Sequence, residues 1–350
     1  MTARAVPGGD EKEIRVPIEF PREYLDSTGV ELSSLSVDEA TAQGTLLHVT
    51  QPVTKDWPAN DVMPFNPDLY GAFPRVEAPS PGEPIVILPG FGNETGDYEA
   101  PFGVVDAAIA TALRRRGFSV HVLQVERKDW FQVAKGLLSL AFWQKKATVD
   151  PGYRWYLDRA DAAVREAVAA SDGRPVTILG HSAGGWLARA YLADPKYRDD
   201  GAEGPNPNVR ALVTLGSPHR NTFRDMVGTD RTGGLLGSVD AESPGARFAG
   251  EGVRYVCVAG RAVRGRQAAE KGQVQLYAHN SYLEVCGEGE GVEGDAVVPT
   301  RCSFLPGATN VLLDGVFHSM SRVGTFEEGT SNRWYGSEDV IDSWLGRAFE

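Results

Sequence analysis

The chain has 350 residues, 42% of them hydrophobic and 23% charged, so it can bury a large core and disorder is not the default. Its 35 lysines and arginines stand against 47 acids, a net charge of −12. That balance argues against nucleic-acid binding and against simple electrostatic docking on anionic lipid, both of which need a cationic face. Three cysteines, Cys257, Cys286 and Cys302, are too few for a disulfide framework and form no zinc-type pair. Cys257, inside the apolar run Tyr255-Val256-Cys257-Val258, reads as a buried small hydrophobe. No metal and no cofactor is expected.

The first residues carry no long apolar stretch, and no run of about 18 apolar residues follows. The expectation is a soluble chain, cytoplasmic or plastid, with no signal peptide and no transmembrane segment. Residues 1–83 are acidic and proline-rich, with short strand signals at Glu13–Phe20 and Thr45–Thr50 and a turn-dense stretch after Pro52. They read as an extension that wraps the main domain or forms a partly mobile arm.

From Pro84 onward, strand and helix patterns alternate, the signature of a mostly parallel sheet covered by helices. Ile85–Leu88 is an apolar, largely β-branched strand ending at Pro89-Gly90. Val104–Arg115 reads as a helix stopped by Gly117, and Val120–Val125 as the next strand. A long helix is predicted over Tyr153–Ala170, a buried strand over Val176–Leu179 and a helix over Gly184–Leu192. Strands follow at Val209–Leu215, Arg254–Ala259 and Asn310–Leu313, and an amphipathic helix at Ser337–Phe349 closes the chain.

Gly180-His181-Ser182-Ala183-Gly184 matches the nucleophile-elbow pattern Gly-x-Ser-x-Gly. The pentapeptide alone is a weak signal and equally describes a glycine-rich turn. Its specificity comes from the buried strand that enters it and the helix that leaves it. A serine hydroxyl needs a base to act as a nucleophile. Of the six histidines (48, 121, 181, 219, 279 and 318), His318 lies just past the last strand, where a loop reaches the sheet's C-terminal edge. His219, in Leu215-Gly216-Ser217-Pro218-His219, is its main rival. Chain order favours His318. The carboxylate that orients the base should fall between the two; Asp295 in Gly294-Asp295-Ala296-Val297-Val298-Pro299 fits, with Asp314, Asp225 and Asp230 as alternatives. Two amides are needed for an oxyanion: Ala183 after the nucleophile, and Phe91 in the loop Pro89-Gly90-Phe91-Gly92-Asn93.

On these segments, in this order across residues 84–345, the chain resembles lipase-type serine hydrolases of the α/β-hydrolase superfamily. It is similar to plant and algal members and, more distantly, to lipases and GPI inositol-deacylase-like proteins. The resemblance implies the α/β-hydrolase fold: a mostly parallel sheet, helices on both faces and a small cap, within residues 84–350. It also implies hydrolysis of a carboxylic ester through an acyl-serine intermediate, the lipase or esterase chemistry of lipid metabolism. Pro89 stands where many lipases carry histidine before the oxyanion glycine. An acyltransferase using the same residues and a non-catalytic ligand binder on the same fold are the alternatives.

Trp130-Phe131 and the run 137–143, with Leu140 and Trp143, are expected to form a hydrophobic lid or pocket wall near residues 128–150. The plainer alternative is a helix packed on the sheet. A second cap segment is expected near 222–248, and His219 is placed beside the pocket. The expected partner is a small-molecule or lipid ester, with transient contact to a membrane surface. Gly289-Glu290-Gly291-Val292-Glu293-Gly294 matches a dinucleotide-binding pattern, but no strand precedes it and its glutamates would repel a pyrophosphate. Glu288, Glu290 and Glu293 read as a solvated acidic loop rather than a calcium site, and Arg261, Arg264, Arg266 and Lys271 as a solvated basic run rather than a headgroup contact.

Overall fold

The computed structural model describes residues 14–15, 45–49, 57–198, 204–219, 232–320 and 332–350. Among the described residues ten strands run in chain order: β1 (Ile14–Arg15), β2 (Thr45–Val49), β3 (Glu83–Leu88), β4 (Phe118–Val122), β5 (Val176–His181), β6 (Val209–Leu215), β7 (Arg254–Arg261), β8 (Val263–Arg264), β9 (Glu293–Gly294) and β10 (Thr309–Asp314). The main sheet has the order β1-β2-β10-β7-β6-β5-β3-β4. All its neighbours pair in parallel except β1 with β2. The small β8–β9 pair is antiparallel. Residues 45–49 of the N-terminal stretch thus extend the main sheet beside β10.

Why the central strands read as unbroken apolar runs is clear from their burial: β3 and β5 are buried at every position. Consecutive side chains alternate between two cores, as the two-residue period of a strand requires. Val86, Leu88, Ile178, Leu212 and Cys257 pack into one. Ile85, Ile87, Leu179, Val213, Val256, Val311 and Leu313 pack into the other. The first core is covered by α2 (Arg154–Ala170), α3 (Ala183–Ala193) and α4 (Leu235–Glu242), which follow α1 (Ile109–Arg114) in the chain. The second is covered by α1 and the C-terminal segment around Trp344. This doubly wound parallel sheet, with a serine at the turn from β5 into α3, has the α/β-hydrolase architecture. A further helix, α5 (Val274–Cys286), occupies the stretch between β8 and β9 for which the sequence offered no assignment. Among the described residues no helix is long and apolar enough to cross a membrane.

Two helices differ from expectation. The one predicted over 104–115 is short, because a 3₁₀ turn at Val105–Ala107 is followed by extended backbone at Ala108 (ψ 136°) and the α-helix starts only at Ile109. The closing helix is replaced by 3₁₀ turns at Ile341–Ser343 and Leu345–Ala348. Trp344 interrupts it at φ −130°, its indole donating to the Tyr335 carbonyl at 3.0 Å. The buried Arg116 forks onto the Asp342 carboxylate at 2.9 and 2.8 Å and holds this segment against α1.

Candidate active site

Ser182 joins β5 to α3 with φ 51° and ψ −122°, a conformation that costs on the order of 1–3 kcal/mol for a side-chain-bearing residue. The surroundings hold it there. Its amide donates to the Leu215 carbonyl at 2.9 Å, and the positions two residues to either side are pressed too tightly for side chains. A Cβ on Gly184 would lie 2.1 Å from the Leu88 carbonyl oxygen; one on Gly180 would lie 2.5 Å from the Cα of Gly185. Both obstacles are backbone, which cannot rotate aside. Gly184→Ala is therefore expected to destabilise the fold by about 3 kcal/mol or more, read as a fall in the denaturant midpoint. An unchanged midpoint would mean that the elbow is not this tight.

His318 and Asp295 lie at the same sheet edge and are both buried. Asp295 Oδ2 is 2.7 Å from His318 Nδ1, and the Asp295 carbonyl accepts from the His318 amide at 2.9 Å. The carboxylate is held from all sides. Oδ1 accepts from the amides of Val297 (3.0 Å) and Val298 (2.7 Å), and Oδ2 also accepts from the Tyr335 hydroxyl at 2.7 Å. Burial first, and then the neighbouring Asp295 charge, push the Tyr335 phenol well above its usual range, so it stays a donor. With Oδ2 as acceptor, His318 carries its proton on Nδ1 and keeps Nε2 as a free lone pair, the tautomer a general base needs. Neither Ser182 Oγ nor His318 Nε2 has a hydrogen-bond partner among the described residues. Such contacts commonly tighten only around substrate.

The loop after β3 lies directly against the serine, since a Cβ on Gly90 would come within 2.9 Å of Ser182 Cβ. Three side chains pin it. The Tyr156 hydroxyl donates to the Pro89 carbonyl (2.7 Å), the Trp130 indole donates to the Asn93 carbonyl (2.7 Å), and the Gly90 amide donates to the Tyr98 hydroxyl (2.9 Å). The Gly90 amide is thereby engaged. The amides of Phe91 and Ala183 donate to no other backbone group among the described residues, which leaves both available to a developing oxyanion.

Of the residues expected to line a lid, Phe131, Leu140 and Trp143 are 80%, 72% and 73% exposed, on short helical turns at Arg127–Val133 and Leu140–Trp143. Phe91 and Leu138 are exposed as well. Trp130 is a correction. It is buried, its ring edge-on to Phe91 at 5.1 Å, and it braces the loop after β3 rather than opening with a lid. His219 is a second correction. It is fully buried, its Nε2 lying 2.9 Å from Thr214 Oγ1 and 3.7 Å from Cys257 Sγ, so it lines no pocket. Asp314 is forked by Arg261 at 2.6 and 2.8 Å. Asp225 and Asp230, and residues 222–231 of the second cap segment, lie outside the described residues.

The acidic loop and the basic run pair with each other and with the 57–61 segment. Arg264 meets Glu293, Arg266 meets Asp61 and Glu290, and Arg301 meets Glu288. Among the described residues no acid, histidine and cysteine cluster suited to a metal occurs. Cys257 is fully buried, as expected. Cys286, beside Cys302 and 3.1 Å from the Arg301 guanidinium, is drawn down to about 6 by the Cys302 contact first and then by Arg301. Nothing in the sequence marked Tyr335 or Tyr98 as neighbours of Asp295 and His181. Isolated tyrosines carry no motif, and their partners lie 40 and 83 residues away.

No protein-family model and no curated protein matches the sequence. Solved structures do align with it. A lipase from Bacillus licheniformis is 18% identical over 72% of this chain and 91% of its own, with TM-score 0.39. A carboxylesterase from Lactobacillus plantarum is 14% identical over 76% and 83%, with TM-score 0.40. A dienelactone hydrolase from Anabaena variabilis is 13% identical over 77% and 86%, with TM-score 0.37.

Proposed function

We propose that the protein is a serine hydrolase acting on carboxylic esters with an apolar acyl group. The observation that carries this is the buried Asp295–His318 pair at the rim of the sheet that also bears the strained elbow serine. In the proposed reaction His318 Nε2 removes the Ser182 hydroxyl proton as Oγ attacks the acyl carbon. The tetrahedral oxyanion takes hydrogen bonds from the amides of Phe91 and Ala183. The intermediate collapses, the alcohol leaves with the proton from His318, and an acyl-Ser182 ester remains. A water deprotonated by His318 then releases the acid and restores the serine. Acyl transfer to an alcohol would use the same groups; product analysis in the presence of a competing alcohol separates the two outcomes.

Covalent trapping tests the assignment. A fluorophosphonate should add one phosphonyl group, and digestion with mass spectrometry should locate it on the peptide holding Ser182. An adduct elsewhere, or none, overturns the proposal. The acyl preference rests on the exposure of the large apolar side chains Phe131, Leu140 and Trp143. Trp143→Ala is expected to lower kcat/KM for long-chain esters by about tenfold while leaving short-chain esters unchanged. Equal loss across an ester series of increasing length would remove the acyl-binding role.

A further inference from the structure

His181, inside the elbow motif, points away from the serine and is fully enclosed. Its ring packs against the imidazole of His318 with centroids 4.8 Å apart, and edge-on to Tyr98 and Trp334 at 5.8 and 5.4 Å. Its two nitrogens face different loops. Nε2 lies 2.9 Å from the His318 carbonyl oxygen, and Nδ1 lies 2.7 Å from the Tyr98 hydroxyl. A carbonyl only accepts, so Nε2 carries the proton. Burial first, and then the adjacent His318, hold His181 well below the usual imidazole range, so the ring is neutral and Nδ1 is an acceptor. The Tyr98 hydroxyl must then donate to Nδ1, and its oxygen accepts from the Gly90 amide (2.9 Å) and the Asn93 side-chain amide (3.1 Å). Every polarity in this chain is fixed: the Gly90 and Asn93 N–H groups donate to Tyr98, Tyr98 to His181, and His181 to the carbonyl of His318.

We propose that His181 is a positioning residue that couples the oxyanion loop to the general-base loop through Tyr98, keeping the Phe91 amide and the His318 imidazole in register about Ser182. The two loops are far apart in sequence, and this relay spans them through Tyr98 and His181, whose hydrogen bonds go to neither Ser182 Oγ nor the His318 ring nitrogens. The main-chain bond between His318 and Asp295 steadies the base from one side; the His181 bond steadies it from the other. Loss of the relay leaves the triad residues present but lets the amide donor drift from where charge develops, which affects the transition state more than the bound substrate.

This inference rests on the proposed ester hydrolysis, and its test separates the two. Tyr98→Phe deletes one hydroxyl and keeps the ring; His181→Gln keeps an amide donor but not the imidazole geometry. The wild type and both variants are assayed on a short-chain nitrophenyl ester, with active sites counted by fluorophosphonate titration. Each variant should lose about 10–100-fold in kcat per titrated site with KM changed less than threefold. The double variant should lose no more than the worse single, because both act through one relay. Unchanged kcat per titrated site with a lowered melting temperature would show a purely structural role and overturn the proposal, and so would losses that multiply in the double variant. If the wild type itself neither labels nor turns over any ester, the ester-hydrolase assignment is what falls.

Discussion

Ser182→Ala is expected to lower ester turnover by about a million-fold while leaving the melting temperature almost unmoved. The large loss follows because every covalent step passes through Oγ: without it, no acyl-enzyme forms and His318 has no proton to remove. The stability expectation has a separate basis. Ser182 Oγ makes no hydrogen bond among the described residues, so its removal leaves no buried partner unsatisfied. The backbone strain at φ 51° is the same for alanine as for serine. A stopped-flow or endpoint assay on a nitrophenyl ester, alongside fluorophosphonate labelling, reads the result. A variant that still labels and turns over would move the nucleophile elsewhere. The nearby hydroxyls of Ser217 and Ser319 are poor substitutes, both residues being fully buried, with Ser217 bonded to the Gly180 carbonyl at 3.3 Å.

Asp295→Asn is expected to reduce kcat by about 10⁴-fold and stability by about 1–3 kcal/mol. The carboxylate accepts four hydrogen bonds, two at each oxygen. An amide has only one oxygen. If that oxygen keeps the Val297 and Val298 amides, the amide nitrogen faces both the Tyr335 hydroxyl and His318 Nδ1. His318 must then accept at Nδ1 and carry its proton on Nε2, where it cannot take one from Ser182. The same replacement removes the negative charge that would stabilise the imidazolium formed during attack. Turnover per titrated site and a thermal melt together decide the matter. A loss smaller than tenfold would mean that Asp295 does not orient the base.

Much of the sheet was legible because its signal is local. β3, β5, β6, β7 and β10 are apolar runs whose burial on both faces leaves no polar alternation to read, and their limits came out within a few residues of the structure. The helices at 104–115 and 337–349 were misread for an equally physical reason. Their apolar spacing suits a helix, yet extended backbone at Ala108 and the interruption at Trp344 break the ladder. Aromatic content pointed to Trp130 as a lid residue. Composition cannot distinguish an indole that swings over a pocket from one whose N–H anchors the Asn93 carbonyl.

By itself the sequence determined the elbow, because its requirement is written in consecutive residues: a buried strand, then Gly180 and Gly184 where a Cβ would strike backbone, then a helix. It also supplied a short set of candidate acids and bases. Only the tertiary structure showed what surrounds each of them. It set Asp314 against Arg261, enclosed His219 beside Thr214 and Cys257, and joined Asp295 to His318 across 23 residues of chain. It alone revealed Tyr335 and the Tyr98–His181 relay, because a hydrogen bond between residues 137 positions apart, such as that from His181 to the His318 carbonyl, leaves no trace in local spacing. Backbone conformation is governed by neighbours in sequence, whereas the protonation state and aim of a side chain are governed by whatever the fold brings against it.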